Sequence, residues 1–401
     1  MSTLEPELFD VVVVGGGPCG ATAATHLARA GVRVLLLDRA GRIKPCGGAI
    51  PPQVMKDFAI PESLLVARAT SARMVSPQDR RVDMPISGGF VGMVDRDVFD
   101  EWLRDRAASS GATRRSGDFE TLSRDASGVA VIDYRSTAVE GANEPSRVRA
   151  RAVIGADGAN SSVARAFVAP TKRAPHVLAY HEIIRSPSFG NSNFDQSRCD
   201  IYYCSRLSPD FYGWVFPHGE TTSIGVGSAR KGFSLRRAVE ALRKETGLDA
   251  TETVRREGAP IPLHPLRRWD NGRDIVLAGD AAGVVAPASG EGIYYAMTSG
   301  RLAAEAVMNF LVTGRARELR AARRRFMRMH GRVFFILGIM QRFWYSSDGR
   351  RERFVSICRD PDVQRLTWEA YMYKRLVRAR PLAHVRIFFK DLLHLFGVVR
   401  P

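Results

Sequence analysis

The stretch Asp10-Val11-Val12-Val13-Val14-Gly15-Gly16-Gly17-Pro18-Cys19-Gly20 decides how this chain folds. Four consecutive valines predict a strand buried on both faces, and the glycines behind them end it. Residues 21–30 carry the small and apolar spacing of a helix, Gly31 stops it, and a second apolar run over 32–37 predicts a second buried strand ending at Asp38. This is a βαβ half-unit, with Gly15, Gly17 and Gly20 in a G-x-G-x-x-G turn at the helix start. Where side chains are missing, backbone N–H groups and the positive end of the helix dipole can approach a pyrophosphate. Asp38 stands 18 residues after Gly20, where a carboxylate accepts from both ribose hydroxyls of an adenosine and repels a 2′-phosphate. Pro18 at the helix start and Arg39 beside Asp38 belong to the same candidate dinucleotide site. On these residues alone, NAD and FAD fit equally.

The bulk numbers are those of a globular protein. With 401 residues, 45% hydrophobic and 25% charged, the chain is long enough for two or three domains, and disordered and fibrous classes are excluded. The formal charge is +17, and residues 301–401 hold 22 Lys and Arg against 8 Asp and Glu, so +14 of it lies in that last quarter. Basic charge confined to one region points to an anionic partner docked there. Five cysteines without a CxxC pair argue against a disulfide framework and against zinc, and no metal site is expected. The first nine residues hold Glu5 and Glu7 and no basic leader, so neither a secretory signal nor a transit peptide is expected and the cytoplasm is the expected setting. The longest late apolar run, 333–340, is far shorter than the roughly 20 residues a membrane-spanning helix needs.

Further along, 45–52 is rich in Gly and Pro and reads as a loop, 96–109 as a helix, and 150–154 as a strand closed by Gly155-Ala156-Asp157-Gly158. Residues 175–263 alternate apolar and polar side chains and predict a mostly antiparallel sheet. A buried strand over 274–278 runs into Gly279-Asp280 and a long helix over 292–309. After Gly314, Leu319, Ala322, Phe326, Met329, Val333, Ile336 and Met340 recur at three and four, with eight arginines between Arg315 and Arg332, which predicts basic amphipathic helix.

The turns Asp157-Gly158 and Gly279-Asp280 resemble those of FAD-binding oxidoreductases of the aromatic-hydroxylase type. That resemblance implies FAD, with Asp157 and Gly279 in its turns, Asp280 on the ribityl chain, and Gly290, Gly292 and Ile293 lining the pyrimidine edge of the flavin. A helix N-terminus suits that edge, because reduced flavin carries negative charge there. The expected fold is α/β (α+β). It comprises a Rossmann-like FAD-binding domain (1–70, 90–174 and 265–313), an antiparallel-sheet substrate domain (71–89 and 175–264) and a helical basic C-terminal region (314–401).

Lys44-Pro45-Cys46-Gly47-Gly48-Ala49-Ile50, Val94-Asp95-Arg96 with Phe99 and Leu103, and Tyr212-Gly213-Trp214-Val215-Phe216-Pro217 with Gly225 resemble the signatures of the geranylgeranyl reductase family. The likeness covers nearly the whole chain and is greatest to the members of bacteriochlorophyll synthesis. It implies NADPH-dependent reduction of a geranylgeranyl group to phytyl, on bacteriochlorophyll(ide) or on the diphosphate, with FAD relaying hydride. It also places Cys46, Gly47, Gly48 and Ala49 close to the flavin. Other readings are an archaeal-lipid-type prenyl reductase, an FAD aromatic monooxygenase, and a non-catalytic isoprenoid carrier.

The residues themselves suit prenyl chemistry. Tyr212, Trp214 and Phe216 alternate along one strand and share a face that, with Pro217, can line an isoprenoid slot or simply be core. Arg96 can reach an FAD phosphate or ribose. An isolated trisubstituted alkene is no electrophile, so hydride delivery needs an acid, and Cys46, His218 and Glu291 are the candidates. Cys46 can equally pack beneath the ring, while Cys19, Cys199 and Cys204 read as packing residues. The eight arginines with Phe334, Phe335, Phe343, Trp344 and Tyr345 can bind nucleic acid or merely close the core. Together with Arg386, Phe388, Phe389, Lys390, Leu392, Leu393, Leu395 and Phe396 they favour a membrane interface instead, and no nucleic acid; the family resemblance implies that this is the inner photosynthetic membrane.

Overall fold

The computed structural model describes residues 5–39, 43–137, 144–168, 176–187 and 193–374. It falls into two units, Met1–Lys44 with Arg96–His176 and Pro260–Phe335, and Pro45–Asp95 with Val177–Ala259 and Ile336–Pro401.

In the first unit the valine run lies in strand Leu8–Val14, the helix is Pro18–Arg29, and the second strand is Val34–Asp38. Strand 8–14 is flanked on both sides by parallel neighbours, and its run Val11 to Val14 is buried, as a central parallel strand requires. The parallel order is Thr113–Arg124, Val34–Asp38, Leu8–Val14, Glu144–Gly155, Ile275–Leu277. Ala130–Ser136 pairs antiparallel with both long strands, 113–124 and 144–155, and bridges them. Arg96–Ser109 is helical as expected, and Ile293–Thr313 extends the expected long helix by one turn. The first helix packs on Ile293–Thr313 at glycine. A Cβ on Gly300 would enter the Cys19 backbone.

Helix Arg320–Trp344 starts in this unit. Its buried seam is Ala322, Phe326 and Phe334, following on from Leu319 just before the helix, and Phe334 meets the Tyr295 ring at 4.9 Å. The apolar stripe expected from sequence leaves that seam after Phe326, because Met329 (48% exposed) and Ile336 (42% exposed) face outward. Both faces carry apolar residues there, so periodicity alone could not choose between them.

The second unit is built on a seven-stranded sheet in the order Thr253–Pro262, His176–Arg185, Thr221–Ser228, Gly213–His218, Arg198–Tyr202, Ser71–Val75, Arg81–Pro85. The pairings from 176–185 through 198–202 are antiparallel, 198–202 with 71–75 is parallel, and 71–75 with 81–85 is antiparallel. One face carries Ile184, Val215, Ile224 and Val226 against Ala238, Val239 and Leu242. Those three belong to helix Leu235–Thr246, which the reading of 175–263 as sheet omits. Its signals are ordinary ones, a Ser234 hydroxyl accepting from Arg237 N–H and a stop at Gly247 with φ 67°. A small sheet joins Ala49–Ile50, Val91–Met93 and Ala67–Ala69.

The division differs from the one expected. Residues 45–70 and 90–95 belong with the large sheet, because the small sheet's Ala69, Val91 and Met93 share a core with Cys199. The C-terminal region is not a body of its own either. Helices Asp348–Ile357 and Pro361–Tyr373 dock on the second unit, where buried Arg351 donates to Pro209 O (2.6 Å) and Tyr345 O (2.7 Å) and Met372 joins the core with Ile86 and Met93. The motif residues from Arg386 to Phe396 lie outside the described residues. Among the described residues no helix is long and apolar enough to cross a membrane.

Candidate active site

Three glycine turns sit side by side at the carboxyl ends of the parallel strands, the edge where open α/β sheets bind ligands. Ala156 N–H donates to Val14 O (2.8 Å) and Ala278 N–H to Gly155 O (2.9 Å), which ties the turns together. Gly15 (φ 104°) faces the Ala156 backbone and Gly20 the Gly15 carbonyl, so neither admits a Cβ. At Gly17 a Cβ would meet no protein atom within 4 Å. Gly17 opens helix Pro18–Arg29, which has no side-chain cap and no acid in its first turn. Its amides therefore present themselves to an anion rather than to the protein.

Asp38 lies against Gly16, where a Cβ would stand 2.6 Å from the carboxyl carbon. Its Oδ2 accepts from Arg104 Nη1 at 3.0 Å. Arg39 pairs instead with Asp118. At the third turn, Gly279 (φ 65°) faces Cys19, and Asp280 Oδ2 accepts from Lys44 Nζ at 2.5 Å. The chain then folds through a loop in which Ala286 N–H donates to Glu291 O and Gly290 N–H (Gly290 φ 65°) to Ala286 O, both at 2.9 Å. Gly292 opens Ile293–Thr313, again without a side-chain cap or first-turn acid. Half-buried Glu291 lies one turn before Tyr295, whose hydroxyl is pushed well up by burial and then by that carboxylate.

Two expected cofactor residues are tied up locally. Arg96 is buried and makes a two-pronged pair with Asp100 at 2.8 and 2.6 Å. Asp157 accepts from Ser161 Oγ (2.5 Å), Ser162 N–H (2.6 Å) and Val163 N–H (3.2 Å), closing the short helix Ser162–Phe167. Burial lifts its carboxyl above the usual range against those hydrogen bonds. Cys19 is a buried packing residue, its thiol pushed up to about 12 by burial, and Cys199 likewise.

In the second unit Tyr212, Trp214 and Phe216 share one sheet face, with ring centroids 6.1 and 6.3 Å apart. Pro217 does not join them. Strand alternation turns it to the opposite face with Val215, a parity the contiguous motif hides. His218 returns to the aromatic face. Its Nδ1 lies 3.0 Å from Asp95 Oδ1 and its Nε2 3.2 Å from Gly47 O. Gly47 lies over Phe216, where a Cβ would be 3.0 Å from the ring, and Gly48 (φ 65°) presses on His218. The loop carrying Cys46 is therefore latched onto one end of the aromatic row. Cys46 Sγ is half-buried and accepts from Gly48 N–H at 3.4 Å, and Ala49 enters the small sheet opposite Met93.

A model of the FAD binding domain family matches residues 9–323. Geranylgeranyl diphosphate reductase of Rhodobacter capsulatus is 56% identical, over 98% of this chain and 99% of its own. The chain belongs to the geranylgeranyl reductase family of FAD-dependent oxidoreductases. Geranylgeranyl diphosphate reductase of Synechocystis sp. is 35% identical over 95% of this chain and 96% of its own. The fold is also that of a geranylgeranyl bacteriochlorophyll reductase-like protein from Thermoplasma acidophilum, with TM-score 0.79 at 23% identity over 94% of this chain and 99% of that one.

The cradle of this reductase-family chain fits FAD on its own geometry. It offers bare backbone at Gly17, two uncapped helix starts and a carboxylate at each end, Asp38 and Asp280. Sequence reasoning missed Arg104 and gave Lys44, quoted only as the start of a motif, no role; they are the cations beside those carboxylates. Arg104 had a faint signal, since it follows Leu103 on a helix whose buried residues also include Phe99 and Ala107.

Proposed function

We propose that this chain reduces double bonds of a geranylgeranyl group to phytyl, on bacteriochlorophyll(ide) or on the free diphosphate, in bacteriochlorophyll synthesis. NADPH is the reductant in this reading. The observation that carries it is the Cys46 loop latched by His218 onto the end of the Tyr212, Trp214 and Phe216 row. Tyr212 and Trp214 are buried and Phe216 is half-buried, so an isoprenoid laid along the row would remove mainly its own apolar area from water, and a proton donor at one end of that face is what alkene reduction needs.

FAD, when bound, supplies the hydride. The amides at Gly17 and the start of the first helix take its pyrophosphate, with Gly15, Pro18 and Gly20 shaping the turn and Asp38 accepting from ribose beside Arg104. Asp280 accepts from ribityl hydroxyls, and the open helix start at Gly290, Gly292 and Ile293 holds the negative edge. Cys46 is the proton donor. Its sulfur already accepts from Gly48 N–H, which leaves the S–H to donate outward. His218 holds the loop in place. With an acceptor at each ring nitrogen it is a positioning group, and Glu291 is the reserve acid.

Peripheral membrane contact belongs to the same reading. Helix Arg320–Trp344 exposes Arg324, Arg328, Met329, Arg332, Phe335, Ile336, Ile339 and Arg342 at intervals of one, three and four, with Phe335 70% exposed. Arginines suit lipid phosphates and the apolar side chains suit the acyl boundary. The test is anaerobic. NADPH bleaches the flavin band and added geranylgeranyl substrate restores it, whereas no reoxidation by any isoprenoid sinks the reading.

A further inference from the structure

The indole of Trp214 is held by more than packing. Its Nε1–H donates to Ser223 Oγ at 3.1 Å, Ser223 Oγ lies 2.9 Å from His181 Nδ1, and His181 Nε2 lies 3.0 Å from Glu257 Oε2. An indole nitrogen only donates and an ionised carboxylate only accepts, so both ends of the chain have a fixed direction. With a neutral His181, one proton order satisfies every link. The indole donates to the hydroxyl, the hydroxyl to Nδ1, and Nε2–H to Glu257. Burial works against the Glu257 charge, but the His181 hydrogen bond and Arg255 hold the carboxyl below its ordinary range, which keeps it an acceptor.

A second observation concerns what lies under the ring. Gly225 is directly opposite Trp214 in one ladder and opposite His181 in the next. A Cβ there would stand 2.7 Å from indole Cε2 and 2.5 Å from His181 Cβ. The indole lies flat across the sheet because position 225 is bare. Four strands thus converge on one ring, and buried Ser223 and His181 with half-buried Glu257 stand where apolar side chains would pack as well. Buried polar networks roughly break even in stability against apolar replacements, so orientation is the function left to them.

We propose that His181, Ser223 and Glu257 are positioning residues acting through Trp214, and that Gly225 is a specificity determinant. Together they fix the indole as a wall that sets how far a polyprenyl chain threads along the row and so which double bond is reduced. This rests on the reading of the row as the isoprenoid contact.

The experiment compares Trp214→Phe, Ser223→Ala, Ser223→Thr, His181→Gln, Gly225→Ala and the Trp214→Phe/Ser223→Ala double variant as holoenzymes. It reads partially reduced tails by mass spectrometry, KM and kcat, and the Trp214 indole N–H resonance in 15N-tryptophan-labelled protein. Ser223→Ala should raise partially reduced product and KM by about fivefold, the factor one net hydrogen bond is worth, and move the indole resonance. Ser223→Thr keeps the hydroxyl and should restore both, Gly225→Ala should shift the product pattern at least as far as Ser223→Ala, and the double variant should be no worse than Trp214→Phe. His181→Gln gives the answer if Ser223→Ala fails to retain FAD. A wild-type pattern in Ser223→Ala and His181→Gln while Trp214→Phe is altered overturns the inference and leaves the slot reading standing. So do Ser223→Ala and Trp214→Phe effects that multiply. A wild-type pattern in Trp214→Phe removes the slot reading and the inference with it.

Discussion

The cofactor cradle and the aromatic sheet face treat their polar atoms in opposite ways. Helices Pro18–Arg29 and Ile293–Thr313 start at Gly17 and Gly292 with no side-chain cap, whereas Leu235–Thr246, Asp348–Ile357 and Pro361–Tyr373 are capped by Ser234, Ser347 and Asp360. In the cradle, donors are left for something that is not protein. On the aromatic face the Trp214 N–H, the Ser223 hydroxyl and both nitrogens of His181 and of His218 have protein partners. An anionic, hydrogen-bonding ligand needs unspoken-for donors and bare backbone. A hydrocarbon needs the reverse, a fixed surface that asks nothing polar of it.

The comparison breaks most visibly at Cys46. Cys46→Ala should lower product formation about 100-fold or more, the low end of what a positioned general acid contributes, while the FAD spectrum stays unchanged. Rate loss without FAD loss is the outcome to check by stopped-flow reoxidation. A side chain at Gly17 should do the opposite. The Cβ of Gly17→Ala meets no protein atom within 4 Å, so circular dichroism should stay native while FAD affinity falls about 100-fold with one or two lost charge-assisted hydrogen bonds. Fluorescence titration of FAD measures it.

His218→Gln sharpens the contrast on the other side. Loosening the latch should reduce turnover about tenfold, less than loss of Cys46 itself, because the donor remains but is no longer held. Single-turnover rates for the two variants give the order. The smallest effect is in thiol chemistry. Burial pushes Cys19 and Cys199 up to about 12, so at pH 8 both stay protonated and unreactive, whereas half-buried Cys46 is accessible. Alkylation followed by peptide mapping should label Cys46 first.

The cradle was legible because its requirements are local. A strand that must be apolar, a turn whose φ and close contacts exclude Cβ, and an acid at the next strand's end are all written within Asp10 to Asp38. The partners of its carboxylates were not, since Arg104 is 66 residues from Asp38 and Lys44 is 236 from Asp280. The aromatic row was readable from period-two spacing, and the same period puts Pro217 on the far face. The anchor of Trp214 could not be read at all, because Ser223, His181 and Glu257 come from three other strands and only the sheet register joins them. In helix Arg320–Trp344, apolar residues on two faces made the buried seam ambiguous until Tyr295 and Phe334 met.

The mass of the tail tests the central claim most directly. Purified holoenzyme is incubated anaerobically with NADPH and either geranylgeranyl diphosphate or a geranylgeranyl-bearing bacteriochlorophyll, and the prenyl group is weighed. A gain of a pair of hydrogens for each double bond, ending at phytyl, is the predicted result. A prenyl mass unchanged on both substrates, from protein that retains FAD, would contradict the account.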